Sequence, residues 1–188
     1  MTIVFIAGSI AIKTLAPQVL ERIDNVVSSR LSVIVGDADG ADTAIQTYLA
    51  ASGAADVTVY CSGTSARNNV GGWPLRPVET KHRPGSRAFF TAKDVEMARS
   101  ADFGLMIWDS KSTGTLSNVV ELLGRGRKSV VFIEKEKSFL NVGSVDQLEQ
   151  LVAHMTSSAR AAADDKMKLA MRIDELRHRQ GRMFEPHP

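Results

Sequence analysis

The sequence has a single cysteine, Cys61, among its 188 residues. A disulfide within the chain is therefore excluded, and so is a zinc site built from several cysteines. No apolar run approaches the ~20 residues that a membrane-spanning helix needs. The first residues, Met-Thr-Ile-Val-Phe-Ile-Ala-Gly, lack the length and the basic flank of a signal peptide. These absences predict a cytoplasmic protein with no membrane partner.

A strong excess of charge of either sign is also missing. The 23 Lys and Arg residues nearly balance the 21 Asp and Glu residues, which leaves a formal net charge of +2. This balance gives no electrostatic reason to expect wholesale DNA binding. No Gly-Lys-Ser or Gly-Lys-Thr follows a glycine loop, so a P-loop nucleoside triphosphatase is excluded. Apolar residues make up 44% of the chain, enough for a well-formed core.

Short apolar runs rich in Val and Ile recur along the chain. They lack polar alternation, which is typical of strands covered on both faces of a sheet. Helical patterns separate them, including one over 91–100 and one over 115–124. The sequence therefore predicts an α/β protein with a Rossmann-like, parallel five-stranded sheet and helices on both faces, in a domain over 1–140. The predicted strands are 2–7, 32–36, 56–60, 103–108 and 129–133.

Two segments depart from this alternation. Residues 61–90 have no strong periodicity and are punctuated by Gly and Pro, so they are either a functional loop or a solvated surface excursion. After a capping box at Ser144–Gln147, a helical pattern runs to about Gln180, with a possible break near Ser157. We expect this C-terminal helical extension, 144–181, to mediate self-association as a homo-oligomer. The alternative is that it bends back over its own domain.

Glycine and small polar residues follow three of the predicted strands. The turns are Ala7-Gly8-Ser9, Gly36 to Asp42, and Ser112-Thr113-Gly114-Thr115. A helix N-terminus has unpaired N–H groups and a dipole that favours an anion, and glycine lets a ligand approach the backbone. Together these turns predict a composite ligand site at the carboxyl edge of the sheet. Any one turn alone has a plainer explanation, since every doubly wound fold needs small residues there.

The second and third turns, in this order and spacing, resemble the SLOG superfamily, which includes the lonely-guy phosphoribohydrolases and the DNA-processing protein DprA. The resemblance covers residues 1–133 and also includes Ala7-Gly8-Ser9 and the stretch from Lys93 to Asp102. It implies a Rossmann-like fold that binds a nucleotide or nucleotide-derived ligand, in some members with hydrolysis of its N-glycosidic bond. The implied ligand-binding residues, to which we add Arg87 from the basic segment, are Gly8, Ser9, Gly36, Gly40, Asp42, Ser112, Gly114 and Thr115.

The chain departs from the hydrolase pattern at two places, and one of them is the second glycine turn, where Asp37 and Asp39 stand in place of the uncharged or basic residues that would suit a phosphate better. The other concerns the catalytic glutamate. The hydrolases carry a glutamate three residues after the Gly-Thr pair, where this chain has Asn118, and only the farther position, Glu121, is acidic. Glycosidic cleavage needs a carboxylate beside an oxocarbenium-like transition state. The candidates are Glu121, Asp109 and Asp39, although Asp109 could instead cap its own turn.

Three functions stay open: nucleotide binding with N-glycosidase activity, a non-catalytic nucleotide sensor or scaffold, and single-stranded DNA binding through the basic residues of 67–87. No cofactor is required by the sequence. Mg²⁺ is possible at Asp37 and Asp39, because that ion takes one or two carboxylates together with phosphate oxygens. The alternative for these two residues is that they are solvated turn acids.

Overall fold

The computed structural model describes residues 1–182, and side chains as far as residue 179. Its centre is a seven-stranded sheet in which six neighbouring strands are parallel and the last pair, β6 and β7, is antiparallel. The strand order is β4-β3-β2-β1-β5-β6-β7. The strands are β1 (Ile3–Gly8), β2 (Ser32–Gly36), β3 (Val57–Ser62), β4 (Leu75–Val78), β5 (Phe103–Trp108), β6 (Lys128–Ile133) and β7 (Ser138–Val142).

Helices cover both faces of this sheet. The first two lie on one face, and the remaining five are associated with the other. The helices are α1 (Pro17–Ser28), α2 (Ala41–Ala51), α3 (Arg87–Ser100), α4 (Thr113–Gly124), α5 (Val145–Val152), α6 (Ser157–Met167) and α7 (Leu169–Arg182). None of the helices within residues 1–182 is both long enough and apolar enough to cross a membrane.

Successive residues of a strand pack into the core on opposite faces of the sheet. In β1, Phe5 packs under the layer of α3 and α4, whereas its neighbour Ile6 packs under α1 and α2. Met106 and Ile107 divide in the same way along β5, and all four side chains are fully buried. Because successive side chains point to opposite faces, a strand buried on both faces reads as one continuous apolar run. This explains why the central strands are visible in the sequence.

All five predicted strands are present, but the predicted strand count was wrong. The sheet has seven strands rather than five, and one pair is antiparallel. The two additional strands, β4 and β7, form the edges of the sheet. The residues of β4 are largely exposed, and Pro77 stands within it, while β7 is only partly buried. Edge strands need no apolar run and tolerate proline, so neither carried the pattern on which the prediction depended.

The helix predicted over 91–100 begins earlier, at Arg87. Ser86 caps it, because the Ser86 hydroxyl accepts a hydrogen bond from the Phe89 N–H at 3.2 Å. On this helix the apolar residue Val95 is exposed, while Lys93 is buried. A charged residue therefore occupies the inward face of α3, which apolar periodicity does not anticipate.

The C-terminal extension is three helices, with one break near Ser157, where the sequence pattern allowed it, and a second at Lys168. Thr156 caps α6 by accepting a hydrogen bond from the Ala159 N–H at 3.2 Å. Lys168 adopts a left-handed conformation, with φ of 55°, between α6 and α7. A left-handed residue ends a helix, so these two breaks let the chain fold back.

The extension packs against its own domain. Met167, Leu169, Ile173 and Leu176 are buried in the same cluster as Leu116 and Val120 of α4. The apolar stripe that suggested self-association is thus covered within one chain over most of its length. Self-association itself stays a prediction, and the end of the predicted segment beyond residue 179 lies outside the described side chains.

Gly40 provides a test of the turn that precedes α2. Its φ is +80°, and a Cβ there would overlap the Ile10 carbonyl oxygen. We expect Gly40→Ala to lower the free energy of unfolding by about 3 kcal/mol or more, from strain and overlap combined. Gly53 is the matched control, because its φ is +68° but a Cβ there would meet nothing within 4 Å. Gly53→Ala should lose only about 1 kcal/mol. Urea unfolding measures the free energy of unfolding of both variants. Equal losses would show that the Ile10 carbonyl does not exclude a side chain at residue 40.

Candidate functional site

The three predicted turns meet at the carboxyl edge of the sheet. Successive strands run outward from β1 through β2 and β3 to β4, and the chain then returns to place β5 on the other side of β1. In open parallel sheets, ligands bind at such a reversal of strand order. The turn after β1 and the turn after β5 flank this reversal, and the turn after β2 lies beside them.

Ser9 joins the first and third turns. Its backbone N–H donates to the Ile107 carbonyl at 2.9 Å, and its hydroxyl accepts from the Asp109 N–H at 3.1 Å. The hydroxyls of Ser9 and Thr115 lie 3.3 Å apart. Both side chains are buried. These two predicted ligand residues therefore tie β1 to the start of α4.

The N-terminus of α4 is shaped by its own turn. The Asp109 carboxylate accepts from the N–H groups of Lys111, at 2.9 Å, and Ser112, at 2.7 Å. Ser112 is the N-cap, and its hydroxyl accepts from the Thr115 N–H at 3.4 Å. Thr113 and Gly114, the first residues of α4, line an adjoining cleft. The capping role of Asp109 that the sequence left open is thus present.

This cleft has a volume of about 460 Å³ and lies between α3, α4 and α6. Basic side chains reach it from several parts of the fold. The Arg87 guanidinium donates to the Thr113 hydroxyl at 3.0 Å, so it stands beside the start of α4. We name this cavity the α4 cleft. The other basic residues that line it are Arg67, Lys93, Lys111 and Lys166, and its carboxylates are Asp94 and Asp109.

A buried ion cluster lies behind the cleft, where Lys93 of α3 meets the turn after β2. The Lys93 Nζ atom is 2.6 Å from Asp94 Oδ1, 3.9 Å from Asp37 Oδ1 and 4.0 Å from Asp42 Oδ2. A Cβ at Gly36 would lie 2.6 Å from the same Nζ and would overlap Asp42 Oδ2. Gly36 thus makes room for the cluster, which is a different use from the expected approach of a ligand.

Asp37 binds the segment that follows β3. Its Oδ1 accepts from the Arg67 guanidinium at 2.8 Å, and its Oδ2 accepts from the Arg67 Nε at 3.2 Å and the Arg67 backbone N–H at 3.0 Å. Burial alone would raise the pKa of Asp37, but the hydrogen bonds from Arg67 outweigh it and hold this pKa below its ordinary value. The carboxylate therefore stays ionised and fixes the start of the basic segment.

Asp42 and Lys93 respond to burial differently. Burial raises the pKa of Asp42 to about 6, since the favourable charge of Lys93 only partly offsets the desolvation and Asp94 adds repulsion. Burial would lower the pKa of Lys93, but the neighbouring carboxylates of Asp94, Asp42 and Asp37 reverse this and raise it. Lys93 therefore remains charged, while Asp42 titrates at a mildly acidic pH.

The three catalytic candidates occupy different places. Asp109 lines the α4 cleft. Asp39 is exposed, accepts from the Asn68 amide at 3.0 Å and lines a separate groove beside α2. Glu121 lies in a third cavity, between α4 and α7, where Arg172 donates to its carboxylate at 2.5 Å. The fold therefore does not bring the three carboxylates together in one cavity.

The four predicted ligand glycines differ in the space that surrounds them. A Cβ at Gly8 would lie 2.7 Å from Ala41 Cβ, and Gly40 is blocked by Ile10. At Gly114 the nearest atom would be the Ser112 hydroxyl, 3.8 Å away, so this position alone of the four predicted ligand glycines faces open space. Asp42 is buried within the ion cluster and does not line the cleft.

Asp37 and Asp39, the possible Mg²⁺ ligands, are engaged separately. Both Asp37 oxygens accept hydrogen bonds from Arg67, and Asp39 accepts from Asn68. Among residues 1–182, no group of three or more His, Cys, Asp or Glu side chains is placed to hold a metal ion. Binding of Mg²⁺ at this turn stays a prediction.

Sequence reasoning missed the residues that connect the turns to the cleft. Lys93 and Asp94 were noted only as part of a family resemblance, and Arg67 only as one basic residue of a long segment. The adjacent Lys-Asp pair on a helix facing the sheet was the available signal. Its importance depends on Asp37 and Asp42, which are more than fifty residues away in the chain.

Compared with known proteins, the chain matches no protein-family model, no curated protein and no solved structure.

The raised pKa of Asp42 predicts a pH dependence of stability. Between its ordinary value of 3.8 and about 6, the folded state holds the Asp42 proton more tightly than the unfolded state does. The contribution of Asp42 to stability is therefore present at low pH and is lost as pH rises through this window. Relative to Asp42→Asn, the parent should lose about 2 kcal/mol between pH 4 and pH 7, because each pKa unit corresponds to roughly 1.4 kcal/mol and the unfolded state is already partly ionised at pH 4.

Urea unfolding of both proteins across this range measures the difference. Asp165→Asn, at an exposed position of α6, is the control for the substitution itself. A difference between the parent and Asp42→Asn that does not change with pH would show that burial does not raise the pKa of Asp42.

Proposed function

We propose that the protein binds a nucleotide or nucleotide-derived anion in the α4 cleft. The observation that carries the proposal is convergence: the N-terminus of α4 opens onto a cavity that basic side chains reach from separate elements. Arg87 comes from α3, Lys111 from the turn after β5, and Lys166 from α6. Unpaired N–H groups and the helix dipole favour an anion at this position, and the cations add to the attraction.

A phosphate group fits the α4 end of the cleft. Gly114 leaves the backbone accessible, and Arg87 is already held beside Thr113 by its hydrogen bond. Arginine offers planar paired donors that match phosphate oxygens. These features support a phosphate contact at the first turn of α4.

Another part of the cleft lining suits a planar group. Phe90 lines the cavity, and the Arg67 guanidinium lies 4.6 Å from the centre of its ring. Both an aromatic ring and a guanidinium plane stack on nucleobases. This supports a ligand that carries a base as well as a phosphate.

Binding without hydrolysis is the form of the proposal that the carboxylates favour. Glu121 is the one acidic residue at a position of the hydrolase pattern. Its charge is neutralised by Arg172, and it lies outside the α4 cleft. Asp109 has one oxygen committed to capping its own turn. A sensor also accounts for α6, which contributes Lys166 and Ala162 to the cleft and so adjoins any bound ligand.

The first test substitutes Gly114. Gly114→Val should weaken binding of a nucleoside monophosphate at least about tenfold, because the side chain would fill the approach to the backbone at the start of α4. Gly124→Val is the matched control at the other end of the same helix, where a Cβ would make an ordinary 3.5 Å contact with Leu176. Calorimetric titration measures both. Equal affinity of Gly114→Val and the parent would place the ligand elsewhere.

Lysine substitutions test the electrostatic part of the same proposal. Lys111→Gln should weaken binding by a few-fold, and the loss should shrink as salt is added, since exposed charges are screened. Lys135→Gln is the control, because Lys135 is exposed on the turn between β6 and β7 and does not line the cleft. Equal affinities for the two variants at low salt would contradict a role for Lys111.

A base-release assay separates binding from hydrolysis. We expect the parent to bind nucleoside monophosphates and to release no free base over hours. If base is released, the essential carboxylate should be identified by a fall of about 10²-fold or more in turnover with little change in affinity, among Glu121→Gln, Asp109→Asn and Asp39→Asn. Such a fall would replace the binding proposal with the N-glycosidase alternative.

A further inference from the structure

Of the carboxylates around the three turns, two line the α4 cleft, Asp94 and Asp109. Asp109 uses its Oδ1 to accept from two N–H groups of its own turn. Asp94 belongs to α3 and lines the same cavity. A carboxylate in a cavity lined by basic residues opposes the binding of a bare anion, so its presence there calls for a chemical reason.

A hydrogen bond from Lys93 holds the Asp94 side chain in place. The Lys93 Nζ atom donates to Asp94 Oδ1 at 2.6 Å, and the Lys93 side chain is only 4% exposed. Asp94 is the most open of the three carboxylates around this ammonium group, with 20% of its side chain exposed against 4% for Asp37 and 6% for Asp42. Lys93 thus presents a fixed carboxylate to the cleft.

The ion cluster leaves Asp94 with acceptor capacity to spare. Three carboxylates, those of Asp37, Asp42 and Asp94, share the two cations Lys93 and Arg67. Arg67 is taken up by Asp37. Among the described residues, the second oxygen of Asp94 accepts no hydrogen bond. Hydroxyl groups are good donors to a carboxylate of this kind.

We infer that Asp94 determines ligand specificity by accepting hydrogen bonds from hydroxyl groups that a ligand carries beside its phosphate, as a ribose phosphate does. This inference rests on the proposed phosphate site at α4. The carboxylate weakens the binding of bare anions by repulsion and favours anions whose hydroxyl donors compensate for that repulsion. Selectivity of this kind needs both an attractive and a repulsive element, and one carboxylate supplies the two.

Two probes test the inference, inorganic phosphate and ribose 5-phosphate. The parent should bind ribose 5-phosphate about tenfold or more tightly than phosphate. In Asp94→Asn the charge is lost while an oxygen remains for Lys93, so the fold is retained. This variant should bind phosphate at least as well as the parent does, and its preference for ribose 5-phosphate should fall several-fold. Asp94→Ala should lose the preference entirely.

Glu96→Gln is the matched control. It removes one negative charge from the same helix at a position that does not line the cleft. It should leave both phosphate binding and the preference for ribose 5-phosphate as they are in the parent. Near-ultraviolet circular dichroism checks that each variant is folded, and both ligands are measured by calorimetry.

The outcomes separate the two proposals. If the parent binds phosphate but shows no preference for ribose 5-phosphate, or if Asp94→Asn and Asp94→Ala keep that preference, the role of Asp94 is overturned while the phosphate site stands. If neither probe binds the parent, the proposed function fails and this inference fails with it.

Discussion

The arrangement at the carboxyl edge of the sheet depends on one buried ammonium group. Lys93 contacts carboxylates from the turn after β2, from the start of α2 and from its own helix. Three acids so close together would repel one another, and a buried charge without a partner is strongly destabilising. Lys93 therefore lets α3 pack against the second glycine turn, and through Asp37 it also supports Arg67 and the segment that leads to β4. The position of the cleft follows from this packing.

The glycine turns show why a glycine-rich motif is a weak indicator of ligand contact. Gly8 makes room for α2, Gly36 for the Lys93 cluster and Gly40 for the chain after β1. In each case a neighbouring protein atom takes the space that a Cβ would need. Only Gly114, among the four glycines singled out, opens toward a cavity large enough for a ligand. The turns are therefore mainly devices that bring three strand ends close together, and one of them leaves backbone accessible.

The sequence predicted the parts of the fold that burial encodes. The five central strands were visible because both of their faces are covered, and the turns that follow three of them were correctly expected to share one edge of the sheet. The edge strands β4 and β7 were not visible, because residues that are largely exposed, as in Leu75–Val78, or only partly buried, as in β7, carry no apolar signature. At the site, Asp109 and Ser112 were found from local spacing. The roles of Arg67, Lys93 and Asp94 arise from long-range packing that no local pattern records.

The third face of the cleft connects the C-terminal extension to the proposed function. Of the helices that line the cleft, α6 has two buried residues, Ala163 and Met167, against three in α3 and seven in α4. Elements with few buried contacts open at the lowest free energy, so α6 is the cleft wall most easily displaced. Lys166 on this wall would gain a favourable contact when an anion enters. Under the proposed function, a ligand that contacts Lys166 would favour the position that α6 has in this structure, and α7 follows directly after Lys168. Coupling of this kind is what a sensor requires, and it needs no catalytic carboxylate.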